Sequence, residues 1–171
     1  MFIAASFDGF IARPDDDISW LDPFTAGVED YGYADFIRNA GTAVMGAQTY
    51  EQSILHPERL LTGLKNYVVT RRFLPPAAGV DREPWHGPLT GLVKKIRDES
   101  DKNIFIAGGG QLVSGFLSEG LVHEIFLFVV PVILGEGIPL FTGIRNAISL
   151  DLTEAVPYGT GIVKLRYVPV R

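Results

Sequence analysis

The chain has 171 residues, no cysteine, and 20 acidic against 15 basic residues, a net charge of −5. That composition excludes disulfides, thiolate metal centres and cysteine nucleophiles, and it lacks the basic excess of a nucleic-acid binder. The three histidines, His56, His86 and His123, are too widely separated to form a short metal-binding motif, so no metal site is expected.

The length suits one domain over residues 1–171 with a real core. The opening MFIAASFDGFIA is apolar, but it has no basic leading segment and Asp8 interrupts it, unlike a signal peptide. Ile125–Leu134, the longest apolar run, is broken by Pro131 and is too short to cross a bilayer. The expectation is a cytoplasmic protein with no membrane partner. The density of that run, with the Gly/Pro loop after it, leads us to expect a homodimer.

In chain order, Phe2–Ser6 reads as a buried strand. Tyr33, Phe36, Ile37 and Ala40 then share one helix face. Thr42–Met45 and Tyr67–Thr70 are further strands, with a helix starting after Gly46 between them. Leu89, Leu92, Val93 and Ile96 repeat at helical spacing, with Lys94, Lys95, Arg97 and Asp98 facing out. Asn103–Ala107 is a strand that runs into Gly108, Gly109 and Gly110. Leu112, Val113, Phe116 and Leu117 then build an amphipathic helix. Beyond residue 120 the strands His123–Val132, Ile148–Ala155 and Gly161–Pro169 follow with no helix between them. Leu134–Gly143 is a Gly/Pro-punctuated loop. The fold class is therefore mixed α/β, with a parallel centre, helices on both sides and an antiparallel C-terminal edge.

The segment IFIAGGGQLVSGFL, residues 104–117, is the strongest local signal. Glycines let backbone N–H groups approach an anion, and a helix N-terminus adds free donors and partial positive charge. The same residues also fit a tight strand-to-helix turn with no ligand. Val113 stands where the third glycine of the usual dinucleotide fingerprint would be, which disfavours a standard Rossmann domain. Two other strand ends, Gly46 in VMGAQTYE and Thr70-Arg71-Arg72 in YVVTRR, should lie on the same carboxyl edge, where α/β folds bind ligands. Guanidinium forks suit a phosphate monoester, although two arginines alone also fit a solvated loop.

The ordered set SFDGFIA, ISW, VMGAQTYE, YVVTRR, IFIAGGGQLVSGFL and VVPVILGEGIPLF resembles the dihydrofolate reductase-like superfamily. Within it the pattern is similar to the reductase domain of bacterial riboflavin biosynthesis and its stand-alone relatives. The resemblance implies a three-layer α/β fold, a homodimer, a cis peptide at Gly108–Gly109 and an NADPH site. Gly108, Gly109, Gly110 and Gln111 would lie on the cofactor diphosphate, Gly46 and Thr49 along the cofactor, and Thr70, Arg71 and Arg72 at the 2′-phosphate. Ala47 stands where true dihydrofolate reductases commonly carry an arginine, so phosphate recognition would fall on Arg71 and Arg72.

On the substrate side the resemblance implies that Asp8 and Trp20 frame a loop beside the nicotinamide; Tyr31 and Tyr33 fit either the pocket lining or the core. It further implies a carboxylate on the first helix gripping the substrate. Asp30 is the nearest candidate, with Glu29 and Asp35 as rivals. The tract Pro14-Asp15-Asp16-Asp17 reads as a solvated turn. Phe10 replaces the basic residue that riboflavin-pathway enzymes usually carry after Asp-Gly. The implied activity is NADPH-dependent reduction of a small heterocyclic or carbonyl molecule, pterin- or pyrimidine-like. The alternatives are the riboflavin-pathway step on a ribosylamino-pyrimidine phosphate and a silent nucleotide-binding module. No nucleophile–base pair stands out, which fits chemistry carried by a cofactor.

Overall fold

A computed structural model describes every residue except Val28, Pro57, Glu58 and Arg171. The strands are β1 (Phe2–Ser6), β2 (Phe10–Ala12), β3 (Ala40–Gly46), β4 (Lys65–Val69), β5 (Arg82–Trp85), β6 (Asn103–Gly108), β7 (Ile125–Val130), β8 (Ile138–Pro139), β9 (Leu150–Pro157) and β10 (Val163–Pro169). The helices are α1 (Asp22–Thr25), α2 (Tyr33–Asn39), α3 (Ala47–Leu55), α4 (Leu89–Glu99) and α5 (Gly110–Ser118), with a 3-10 turn at Ser19–Leu21.

Two four-stranded sheets, β5-β4-β3-β6 and β1-β7-β10-β9, meet where β6 lies against β1. The first is wholly parallel. In the second, β1 runs parallel to β7, whereas β10 is antiparallel to both β7 and β9. The expected parallel centre and antiparallel C-terminal edge are both present.

Strand alternation explains why helices cover both faces. Val44, Tyr67 and Ile106 point to one side, where Leu92 and Ile96 of α4 and Val113 and Phe116 of α5 close the main core. Ala43, Met45, Val68 and Phe105 point to the other, against Tyr50 and Ile54 of α3 and Phe36 and Ile37 of α2. The i, i+3, i+4 spacing of each helix puts its apolar stripe on the sheet.

Several boundaries differ from the expectation. Ala40 is not on the α2 face; it is extended (φ −85°, ψ 143°) and opens β3. Thr70 lies just past β4, and the Leu134–Gly143 loop contains β8, paired antiparallel with β2. The runs forming β2, β5 and β8 are too short to show a period of two. Within the Ile125–Leu134 run, Ile125, Phe128 and Val130 are buried inside the fold, whereas Ile133 is exposed. Further exposed apolar side chains are grouped on the last hairpin, at Leu150, Leu152, Val168 and Val170, and others are scattered at Phe7, Leu55 and Phe73.

Candidate active site

Because β3, β4 and β6 run parallel, their carboxyl ends share one edge, and a cleft of about 1230 Å³ opens there. Three helices begin at it. The N-caps are Gly46 for α3, Pro88 for α4 and Gly109 for α5; none is closed by a side-chain hydrogen bond, and all three line the cleft. Each first turn therefore presents main-chain N–H donors to the cleft, an arrangement suited to an anion.

The consecutive glycines serve different ends. Gly108 has φ +121°, which side-chain-bearing residues rarely adopt, and the Gly108–Gly109 peptide is cis, as the resemblance implied. The Thr49 hydroxyl stands over this pair, 3.4 Å from where a Gly109 Cβ would lie. Gly110 also lines the cleft, but the position a side chain would take is directed at β8. A Cβ there would sit 3.0 Å from the Leu140 carbonyl oxygen and closer still to that of Pro139, so its hydrogen lets the β8 backbone pack onto α5.

The β8 segment is held from the far end of the chain. The Asp8 carboxylate accepts the Ser6 hydroxyl at 2.6 Å and the N–H groups of Leu134 at 3.1 Å and Gly135 at 2.7 Å. The Ser6 hydroxyl, followed by these N–H groups, holds the Asp8 carboxyl below the usual carboxylate range. Leu140 N–H donates to Gly9 at 2.9 Å. Gly137, Ile138 and Pro139 thus line the cleft beside Ile11 of the paired β2, and Met45 and Leu89 also line it.

Of the expected cofactor residues, Gly46, Thr49, Gly108, Gly109, Gly110 and Gln111 line the cleft. Thr70, Arg71 and Arg72 stand outside its lining, beyond Val69, which does line it. The Thr70 hydroxyl accepts the Arg72 N–H at 2.9 Å, so it serves its own turn. Arg72 is paired with Glu51 of α3 at 3.0 Å. Arg71 is exposed.

The substrate-side expectations need correction. Asp30 precedes α2 and is exposed; its carboxylate accepts the N–H groups of Gly32 at 2.9 Å and Ala34 at 3.1 Å. These bonds hold its carboxyl below the usual range, so it fixes the helix start and does not line the cleft. Glu29 and Asp35 do not line it either. Trp20 is buried in a cluster with Phe128, Val130 and Ile162. Tyr31 is buried there too, and its hydroxyl donates to the Phe24 carbonyl at 2.6 Å. Asp8 organises the 134–135 loop as described. Tyr33 does reach the cleft.

The acidic turn is more than a solvated loop. Asp16 lines the cleft, and both its oxygens accept the Gln48 side-chain amide at 2.8 Å. Asp16 has φ +66°, and Asp17 pairs with Arg13 at 3.4 Å across the turn. The signal available in the sequence was Gln48 itself, in the first turn after Gly46.

The chain belongs to the RibD C-terminal domain family, which matches residues 1–164. It is 36% identical to the uncharacterised YwjB protein of Bacillus subtilis strain 168, covering 98% of this chain and 95% of that one. Among solved structures it is similar to a putative riboflavin biosynthesis protein of Shewanella sp. PV-4, with TM-score 0.89 at 22% identity, covering 99% and 97% of the two chains. It also shares the fold of Enterococcus faecalis dihydrofolate reductase, solved with NADP(H), with TM-score 0.68 at 16% identity, covering 99% and 95%.

Proposed function

We propose that this chain is a reductase that binds NADPH in the cleft and reduces a small heterocyclic or carbonyl molecule, pterin- or pyrimidine-like. The observation that carries the reading is the meeting of three helix N-termini without side-chain caps around a glycine floor. Uncapped N–H donors fit a diphosphate, and the apolar wall of Ile11, Met45 and Ile138 fits a flat ring held away from water. Family membership and the NADP(H) in the dihydrofolate reductase structure support the same cofactor.

The bound cofactor supplies the hydride. The chain's own residues bind, orient and exclude water. The Thr49 hydroxyl beside Gly109 and the first turns of α3 and α5 would hold the diphosphate. Ile138 and Ile11, side by side on the paired β8 and β2, would pack against the reacting rings. Asp16, tied to Gln48, is the cleft-lining carboxylate on that side, and water would supply the proton. The riboflavin-pathway step is a second reading, favoured by the family match. Against it, Phe10 opens β2 against Gly137 and brings no positive charge for a substrate phosphate.

The test is a titration with NADPH, followed by NADPH oxidation across a panel of pterins, pyrimidines and the ribosylamino-pyrimidine phosphate. Binding with turnover of one class supports the proposal and names the substrate. Binding without turnover supports a silent nucleotide module, and no binding refutes the reading of the cleft.

A further inference from the structure

The helix α2 lies across the seam where β6 meets β1. Its Phe36 ring touches Phe2 of β1, Phe105 of β6 and Phe126 of β7, with centroids 4.9, 4.9 and 5.7 Å away. One turn earlier, Tyr33 meets Phe2 edge to face at 5.4 Å. Phe2 packs in turn on Phe128 at 4.4 Å, so an aromatic cluster sets the direction of the phenol. Tyr33 lines the cleft together with Phe2 and Ala4 of β1 and Phe105 and Ala107 of β6, which bring no polar side-chain atom to this wall. The Tyr33 hydroxyl makes no hydrogen bond to any described residue, although a phenol packed on apolar groups usually finds one. Tyr33 is 39% exposed, so a ligand can reach it. Desolvation holds the phenol above its usual range, which keeps it protonated at neutral pH.

We infer that Tyr33 is a substrate-binding, specificity-determining residue: its hydroxyl donates a hydrogen bond to a carbonyl oxygen on the bound ring and selects oxo-heterocycles over their amino counterparts. The inference rests on the cleft being that of a reductase for such rings. A ring against an apolar wall takes its orientation from a few polar contacts. A carboxylate accepts hydrogen bonds and selects a ring edge made of N–H donors. The cleft-lining carboxylate of Asp16 is already engaged by Gln48. A protonated phenol is the better donor and selects an acceptor. Loss of one neutral hydrogen bond corresponds to a factor of about 3 to 10 in affinity.

The experiment titrates NADPH, and then 2-amino-4-oxopteridine and 2,4-diaminopteridine on the NADPH-loaded protein, for the unmodified chain and Tyr33→Phe, with thermal melting of both. The substitution keeps the ring on Phe2 and removes only the oxygen. It should leave NADPH affinity and Tm unchanged and lower the oxo-over-diamino affinity ratio about 3- to 10-fold. An unchanged ratio, an equal loss for both rings, or a lower Tm in Tyr33→Phe would overturn the inference, the last by showing that the hydroxyl serves the fold. Binding of NADPH but of neither ring would overturn it too, while the cofactor reading stands. If NADPH does not bind the unmodified chain, the cleft reading falls and this inference with it.

Discussion

Gly110 offers the sharpest test of how the cleft is built. An alanine there places a methyl group 3.0 Å from the Leu140 carbonyl oxygen and 3.4 Å from its carbon, with the Pro139 oxygen nearer still. All are backbone atoms, so no side chain can turn aside; either β8 or the start of α5 must move. β8 is two residues long and pairs with one short strand, β2, whereas α5 is packed into the main core, so β8 is the element that yields. Overpacking of this kind costs about 1–3 kcal/mol. For a chain of this size each kcal/mol lowers Tm by about 2–4 °C, so Gly110→Ala should lower Tm by about 2–12 °C. Gly63→Ala is the control, since nothing lies within 4 Å of its added carbon, and it should stay within about 0.5 kcal/mol of the parent. Differential scanning calorimetry measures both. A Gly110→Ala protein that melts with the Gly63→Ala control would refute the packing argument and return Gly110 to a ligand-facing role.

Three further outcomes follow from the same geometry. Asp8→Asn replaces an acceptor of three hydrogen bonds by a group that must turn a donor towards one of them, so Leu134 and Gly135 amides should exchange faster with deuterium and dinucleotide affinity should fall. Unchanged exchange at both amides would show that Asp8 does not hold the loop. Glu99 has its carboxyl lowered to about 2, first by Lys95, then by Lys65 and the Tyr67 hydroxyl. A depressed carboxyl stabilises the fold above its unfolded value of about 4.5 and loses that contribution as pH falls through 2. The Tm advantage of the parent over Glu99→Gln should therefore shrink between those pH values, and a pH-independent gap would count against the cluster. The homodimer we propose would use the exposed Leu150, Leu152, Val168 and Val170 on the β9–β10 hairpin. Sedimentation at micromolar concentration should show a dimer that Leu152→Asp dissociates; a parent that sediments only as a monomer would end the proposal.

Much of the fold was legible because strands buried on both faces are continuous apolar runs, as in β1, β3 and β6, and because α4 and α5 carry clean helical stripes. The cleft floor was legible for a related reason: a buried strand ending in glycine before a helix marks either a tight turn or an anion site, and both readings place it at the carboxyl edge of the sheet. The substrate side was not. Asp30 and Asp8 are carboxylates near plausible positions, but a sequence does not show which N–H groups a carboxylate will meet. Asp30 meets those two and four residues on, and Asp8 meets those 126 and 127 residues on. Trp20 and Tyr31 are large and amphipathic, equally suited to a pocket wall or to the core cluster they join.

The arginines and glycines show where such reading runs out. Arg71 and Arg72 look equivalent as neighbours in YVVTRR, yet Glu51, 21 positions earlier, occupies one of them, because α3 folds back over the end of β4. Likewise Gly108, Gly109 and Gly110 look like one motif with one purpose. In the fold, Gly108 is needed for its backbone angle, Gly109 lies under Thr49, and Gly110 yields room to a carbonyl thirty positions on. A glycine run records only that side chains are forbidden. What forbids each one is set by whatever the topology brings alongside, here a helix on one side and the β8 backbone on the other. Substitutions at the three positions should therefore fail in different ways: Gly110→Ala in stability first, and changes at Gly109 in what the Thr49 side of the cleft can hold.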